Sequence, residues 1–257
     1  MTESNQSTID VLGVSLSMIT LDQTVEAVAG WVKNGKKNYM HVCTTQTVLE
    51  CRDAPDLSAR VNNSALNVPD GMPLVWLGKL HKHNVDRVYG PDLMLAICKY
   101  GLSRNYRHFL YGSTPEVLNK LVEQLRESFS GIVISGQFAP PFRKLSDEEK
   151  QDITQTINNS KSDIVWVCLG TPQQDYWVAD FREHLDAPVL IPVGAAFNFH
   201  SGSVKQAPRW MMHCGLEWFF RLLMEPRRLW KRYLLGNPRF AFLALAQLIR
   251  GHTKNSS

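Results

Sequence analysis

The chain has none of the short motifs that mark the commonest nucleotide and hydrolase chemistries. No Gly-x-Gly-x-x-Gly follows its first apolar strand, which speaks against a dinucleotide dehydrogenase. No Gly-x-x-x-x-Gly-Lys-Ser/Thr is present, so there is no Walker A phosphate loop. No Gly-x-Ser-x-Gly marks a serine hydrolase. No Asp-x-Asp triplet offers paired carboxylates for a metal-held diphosphate. The five cysteines (Cys43, Cys51, Cys98, Cys168 and Cys214) are scattered and contain no Cys-x-x-Cys. That pattern argues for a reducing compartment and against structural zinc. The eight histidines show no ligand spacing, and His81, His83, His200 and His213 suit solvated or hydrogen-bonded roles. Neither a resident metal nor a cofactor is expected. Met1–Thr8 is polar and has no apolar h-region, so no signal peptide is expected. No uncharged apolar run reaches the ~18 residues of a membrane span.

What is present suits a soluble globular core: 257 residues, 44% hydrophobic and 20% charged. The net charge of +4 hides an asymmetry. From Val204 to Ser257 there are ten Lys and Arg against two acids, whereas the first 203 residues carry 18 basic and 22 acidic groups. An acidic body joined to a basic tail points to an anionic partner for the tail.

Between Val11 and Gly202, apolar strands alternate with helical stretches. Strands are expected at Tyr39–Thr44, Leu66–Val68, His108–Tyr111, Gly131–Ser135, Asp163–Leu169 and Val189–Val193. Helices are expected at Leu21–Val32 behind Thr20, and at Thr47–Val61, broken by Pro55. Further helices are expected at Gly71–Leu80, at Pro91–Tyr100, after Thr114-Pro115-Glu116, after Ser146, and at Pro172–Leu185. This order predicts an α/β fold: a Rossmann-like, mostly parallel sheet with helices on both faces. Four strands are expected to stop at Gly112, Gly136, Gly170 and Gly194. Glycine at the carboxyl end of a parallel strand lets a phosphate or nucleotide approach the backbone. Pro69-Asp70-Gly71 ends the short strand at Leu66–Val68. It is turn chemistry, with Gly71 free to take positive φ, or else a device that aims an acid into a cleft.

The tail from Gln206 interleaves large aromatics with arginines. Arg221, Arg228 and Arg232 fall at helical spacings beside Phe219, Phe220, Leu223, Trp230 and Tyr233, with Pro226 as a possible break. Phe240–Ile249 is apolar nearly all round but too short to span a bilayer. Basic residues beside Trp, Phe and Leu suit a helix in a membrane interface, and arginine forks suit a diphosphate. A tail packed on the body with its arginines in solvent is the plainer alternative. Nucleic acid fits less well, since the aromatics cluster with aliphatics. The domain division expected is 1–203 for the catalytic body and 204–257 for a membrane-associating helical appendage.

Five blocks, in this order and spacing, resemble the WecG/TagA/CpsF glycosyltransferases of bacterial surface-polysaccharide, teichoic-acid and enterobacterial common antigen assembly. They are Pro69-Asp70-Gly71-Met72-Pro73-Leu74-Val75-Trp76, Arg87-Val88-Tyr89-Gly90-Pro91-Asp92-Leu93-Met94, Gly170-Thr171-Pro172-Gln173-Gln174-Asp175-Tyr176-Trp177, Val193-Gly194-Ala195-Ala196-Phe197, and Gly215-Leu216-Glu217-Trp218 through Arg232-Tyr233. The resemblance implies an inverting, metal-independent transfer from a UDP-sugar to a sugar on undecaprenyl diphosphate. The enzyme would attach peripherally to the cytoplasmic face of the bacterial membrane, and family members can self-associate. Asp70 is then the base, with Thr44 or Thr45 standing in for the family's Thr-x-Asn. Arg221, Arg228 and Lys231 or Arg232 would hold the diphosphate. Gly112, Gly136, Gly170, Pro172 and Gly194 would frame the donor, Gln173 and Gln174 would hold sugar hydroxyls, and Arg87 and Asp92 would shape the wall.

This chain departs from the family pattern at Val42, at Asn198 in place of an aspartate, and at Gln206 in place of an arginine. These departures are the only support for a competing reading, a membrane-bound nucleotide-sugar-binding assembly protein without activity. The Asp70-Gly71-Met72-Pro73-Leu74-Val75-Trp76 variant resembles the branch that includes hexose-using exopolysaccharide enzymes. N-acetylmannosamine donors are typical elsewhere in the family.

Overall fold

The computed structural model describes residues 7–254. It opens with an antiparallel hairpin of β1 (Thr8–Val11) and β2 (Val14–Ser17), which the strand–helix alternation does not announce. Its two-residue turn places Leu12 at φ 54° and Gly13 at φ 93°. Two left-handed residues match the twist of paired strands.

The body follows in chain order: α1 (Leu21–Asn34), β3 (Asn38–Cys43), α2 (Thr45–Asp53), α3 (Pro55–Asn62), β4 (Leu66–Pro69), α4 (Met72–Leu80) and α5 (Gly90–Gly101). Then come β5 (Arg107–Gly112), α6 (Pro115–Ser128), β6 (Val133–Phe138), α7 (Asp147–Asn159), β7 (Ile164–Cys168), α8 (Gln173–Phe181), β8 (Val189–Pro192) and α9 (Ala196–His200). The caps read from sequence hold: Thr20 and Ser146 close capping boxes, and Thr114 accepts from the Val117 N–H. Pro55 separates α2 from α3.

The six body strands are all parallel, in the order β4-β3-β8-β7-β5-β6. Side chains alternate between the two faces, as strand geometry requires. On β7, Ile164, Trp166 and Cys168 face the cluster built with Leu93, Ile97 and Phe197 of α5 and α9. Val165 and Val167 face the cluster built with Ile153, Trp177 and Val178 of α7 and α8. The hairpin guards the edge at β4: the Asn67 backbone N–H donates to Ser17 Oγ (3.2 Å), and its side-chain amide nitrogen donates to the Ser15 carbonyl (3.1 Å).

Two expectations need correction. The strand expected to stop at Gly136 begins instead at Val133 and runs through Gly136 to Phe138. A Cβ at Gly136 would lie 2.6 Å from Phe109 Cε2, so this glycine admits an aromatic ring against the strand and does not end it. The helix expected to reach Leu185 ends at Phe181 and tightens into a 3₁₀ turn at Arg182–His184.

The tail is a chain of short helices: α10 (Arg209–His213), α11 (Glu217–Met224), α12 (Pro226–Trp230), a π-helical stretch at Lys231–Gly236, and α13 (Asn237–Lys254). Pro226 does break the run, so Arg221 sits on a different helix from Arg228. α13 lays Phe240 and Ala244 into the cluster formed by the hairpin, α2, α3 and α4, and exposes Phe242, Leu245 and Ile249. Among the described residues, no helix is long and apolar enough to cross a membrane.

Candidate active site

The carboxyl ends of the strands open onto a cleft of ≈ 1780 Å³ roofed by the tail. β4 delivers Asp70 to its floor. The Asp70 N–H donates to the Cys43 carbonyl (2.8 Å), tying the end of β4 to the end of β3. Gly71 is not in a left-handed turn: at φ −72° and ψ 131° it is the extended N-cap of α4. Strand, acid and helix therefore follow directly, and α4 starts with Pro73 in its first turn.

Arg87 grips Asp70 from behind. Its Nη2 and Nε donate to Asp70 Oδ1 at 2.9 and 3.1 Å, and Nε also donates to the Asp70 carbonyl. The same Nη2 donates to Glu217 Oε2 at 2.6 Å, and the guanidinium lies 4.2 Å over the Tyr89 ring. Asp70, Glu217 and Arg87 side chains are 14%, 12% and 18% exposed. Burial pushes the Asp70 carboxyl above its ordinary value; Arg87 pulls it back and Glu217 pushes it up again. Burial works against the Arg87 charge, but the two carboxylates outweigh it and the guanidinium stays protonated.

Thr44 is the N-cap of α2, accepting from the Thr47 N–H at 3.3 Å, and its hydroxyl lies 3.5 Å from Arg232 Nη2. Thr45 lines the cleft beside it. Arg221, Arg228 and Arg232 line the roof. Arg221 has a buried Nε with no partner, and its guanidinium stands 5.6 Å over the Phe199 ring. Arg228 forks onto Glu225 at 2.6 and 2.7 Å. Burial lowers the pKa of Arg232, and the nearby charges of Arg221 and Arg228 lower it further. Lys231 stands over the Trp230 ring (5.6 Å), outside the cleft lining.

The donor-side residues divide. Gly170, Gln173, Gln174 and Gly194 line the cleft. Gly170 (φ 79°) donates its N–H to Gln174 Oε1 at 3.1 Å, which folds the β7 loop onto α8. Pro172 follows a cis peptide as the N-cap of α8 and is outside the lining. Gly112 is also outside it: a Cβ there would meet the Cys168 carbonyl oxygen at 2.3 Å, so the residue serves the close approach of β5 to β7. Gly136 lies within β6, as described. Arg87 and Asp92, expected to shape the wall, are both outside the lining: Arg87 holds Asp70 from behind, and Asp92 forks with Arg209 at 2.6 and 3.0 Å. Val42 and Asn198 line the cleft. Gln206 donates to the Tyr89 hydroxyl at 3.1 Å. His200 bonds the Pro91 carbonyl (2.9 Å). Among the described residues, no group of three or more His, Cys, Asp or Glu is arranged to hold a metal ion.

Two parts of the site carry no role in the sequence reading. Glu217 is one of only two acids in the basic tail, and that rarity was its signal. The other is a fully buried pair beneath the cleft, His41 Nδ1 on β3 and Asp175 Oδ1 on α8, at 3.0 Å. It ties the helix carrying Gln173 and Gln174 to the sheet.

A parallel sheet with an acid at one strand end and arginines closing over it is an arrangement suited to group transfer from an anionic leaving group. The chain matches the Glycosyl transferase WecG/TagA/CpsF family over residues 9–254 and belongs to it. It is a glycosyltransferase. The N-acetylglucosaminyldiphosphoundecaprenol N-acetyl-beta-D-mannosaminyltransferase of Bacillus subtilis (strain 168) is 31% identical over 191 residues, covering 73% of this chain and 71% of that protein. The enzyme of the same name from Bacillus spizizenii is 27% identical over 216 residues, covering 84% and 81%.

Proposed function

We propose that this chain moves a sugar from a UDP-sugar to a sugar carried on undecaprenyl diphosphate, with inversion and without a metal. The observation that carries the reading is the buried Asp70 carboxyl on the cleft floor beneath Arg221, Arg228 and Arg232. Inversion in one displacement requires a base beside the acceptor hydroxyl, opposite the leaving group. The acceptor oxygen bonds to the sugar's anomeric carbon, the bond from that carbon to the diphosphate breaks, and its electron pair leaves with UDP. The hydroxyl proton passes to Asp70. A carboxyl of ordinary pKa near ~4 is a weak base toward an alcohol. Burial of Asp70 raises its pKa and improves the match to neutral pH.

The leaving diphosphate needs fixed positive charge. Arg221, Arg228 and Arg232 supply it, and a bound diphosphate would relieve their mutual repulsion and give the buried Nε of Arg221 an acceptor. Exposed Trp210, Phe219, Leu223, Met224, Trp230 and Leu234 stand among the tail's basic residues, which supports residues 204–257 as an appendage resting on the anionic inner face of the cytoplasmic membrane. The names of the two relatives support an N-acetylglucosaminyl diphosphoundecaprenol acceptor.

The test is a donor panel. Purified protein is given UDP-N-acetylmannosamine and UDP-hexoses with a synthetic lipid-diphosphate sugar, and UDP release is followed with and without EDTA. Release is expected from one donor, unchanged by EDTA and reduced about 10²–10⁴-fold in Asp70→Asn. Near-normal turnover by that variant refutes the role of Asp70, and loss of turnover with EDTA refutes metal independence.

A further inference from the structure

We propose that Glu217 is a positioning residue through which the docked tail sets the state of Asp70, by taking a share of the guanidinium that otherwise belongs to Asp70 alone. The inference rests on the reading of Asp70 as the base.

The hydrogen-bond directions leave little freedom. The Gln206 amide nitrogen, Nε2, can only donate, and it donates to the Tyr89 oxygen at 3.1 Å. The Tyr89 hydroxyl proton is then free for Glu217 Oε1, at 3.2 Å. The other Glu217 oxygen, Oε2, accepts from Arg87 Nη2 at 2.6 Å, and the same nitrogen reaches Asp70 Oδ1 at 2.9 Å. A chain of hydrogen bonds therefore links residue 206 through 89, 217 and 87 to 70, with donors converging on Glu217 from both sides and Arg87 donating also to Asp70. Its midpoint, Glu217, is the first residue of α11 and belongs to the tail, whereas Arg87 and Asp70 belong to the body.

The electrostatics follow from this sharing. A carboxylate gripped by a guanidinium alone is a poor base, because its charged form is stabilised. A second carboxylate on the same guanidinium nitrogen offsets that stabilisation while the fork still fixes the position of Asp70. The other groups facing Asp70 do not titrate against it. Burial pushes the Cys43 thiol and the Tyr89 phenol well up, so both stay neutral, and Arg232 stays cationic. The body alone thus holds Asp70 in its least basic state, and the docked tail, which also brings the diphosphate-binding arginines, makes it a base.

The test is the pH dependence of kcat/KM for transfer by the full-length protein. Activity requires ionised Asp70, so the acidic limb of the profile reports its pKa. In Glu217→Gln the charge is removed and Arg87 reverts to Asp70. The limb is expected to move to lower pH by about one unit, with lower kcat and unchanged donor KM. Glu217→Asp keeps the charge and is expected to keep the wild-type limb. Tyr89→Phe removes the proton donated to Glu217 and is expected to move the limb the other way, to higher pH. It decides the matter if Glu217→Gln fails to fold. A wild-type limb in folded Glu217→Gln, or in Tyr89→Phe, overturns the proposal. Asp70→Asn separates the two readings: an active variant removes the base itself, whereas an inactive one beside an unshifted Glu217→Gln removes only the role of Glu217.

Discussion

Replacing Arg87 with alanine leaves two largely buried carboxylates facing each other with their shared counter-charge gone. Breaking a buried ion pair by deleting one partner costs about 3–5 kcal/mol. Asp70 and Glu217 are only 14% and 12% exposed, so solvent offers little relief. For a chain of this size each kcal/mol moves Tm by roughly 2–4 °C, which sets the expected loss near 10 °C at pH 7.5. The loss should depend on pH. The folded pKa of Asp70 already lies above its ordinary value, and without Arg87 it rises further. A carboxyl raised by folding contributes stability below its unfolded pKa and loses it as pH rises through the folded pKa. The deficit of Arg87→Ala against wild type is therefore expected to shrink by several degrees between pH 7.5 and pH 5. Differential scanning fluorimetry at the two pH values, with Arg87→Lys as the charge-keeping control, measures this. An equal deficit at both, or an Arg87→Ala protein within 2 °C or so of wild type at pH 7.5, refutes the reasoning.

Arg221→Met removes a buried Nε without a partner, so UDP affinity is expected to fall about tenfold by calorimetry with no loss of Tm. Gly136→Ala drives a Cβ into the Phe109 ring and is expected to cost about 1–3 kcal/mol in urea denaturation. The pair Phe219→Glu and Leu223→Glu places two charges on the exposed face of α11, and binding to anionic vesicles is expected to drop by sedimentation while Tm holds.

The sheet was legible because parallel strands buried on both faces read as continuous apolar runs, and because Thr20, Thr114 and Ser146 announce helices with their own side chains. Gly136 misled because a glycine that ends a strand and one that admits a ring look alike in sequence, and only Phe109 on the neighbouring strand distinguishes them. The hairpin was missed because two four-residue strands around Leu12-Gly13 carry too few positions for a period. Asp70 stood out by its place after β4. Its grip did not, because Glu217 lies 130 residues from Arg87 and no local pattern links them. The break at Pro226 was readable from the ring's missing N–H, whereas the π-helical stretch at Lys231–Gly236 has no such marker.

One contact joins the hairpin to α13, at least 235 residues further along the chain. Gln247 on α13 accepts from the Leu12 N–H at 3.0 Å and donates to the Asp10 carbonyl and Oδ1 at 3.0 and 2.9 Å. The hairpin leaves the ribosome before the body, and its partner α13 leaves after it. A nascent chain that has emerged only as far as Gly215 holds Asp70, Gly170 and Gly194, but not Glu217, Arg221, Arg228 or Arg232. Assembly of the transfer site is thereby deferred until the tail has been synthesised, when α13 can fasten onto the hairpin.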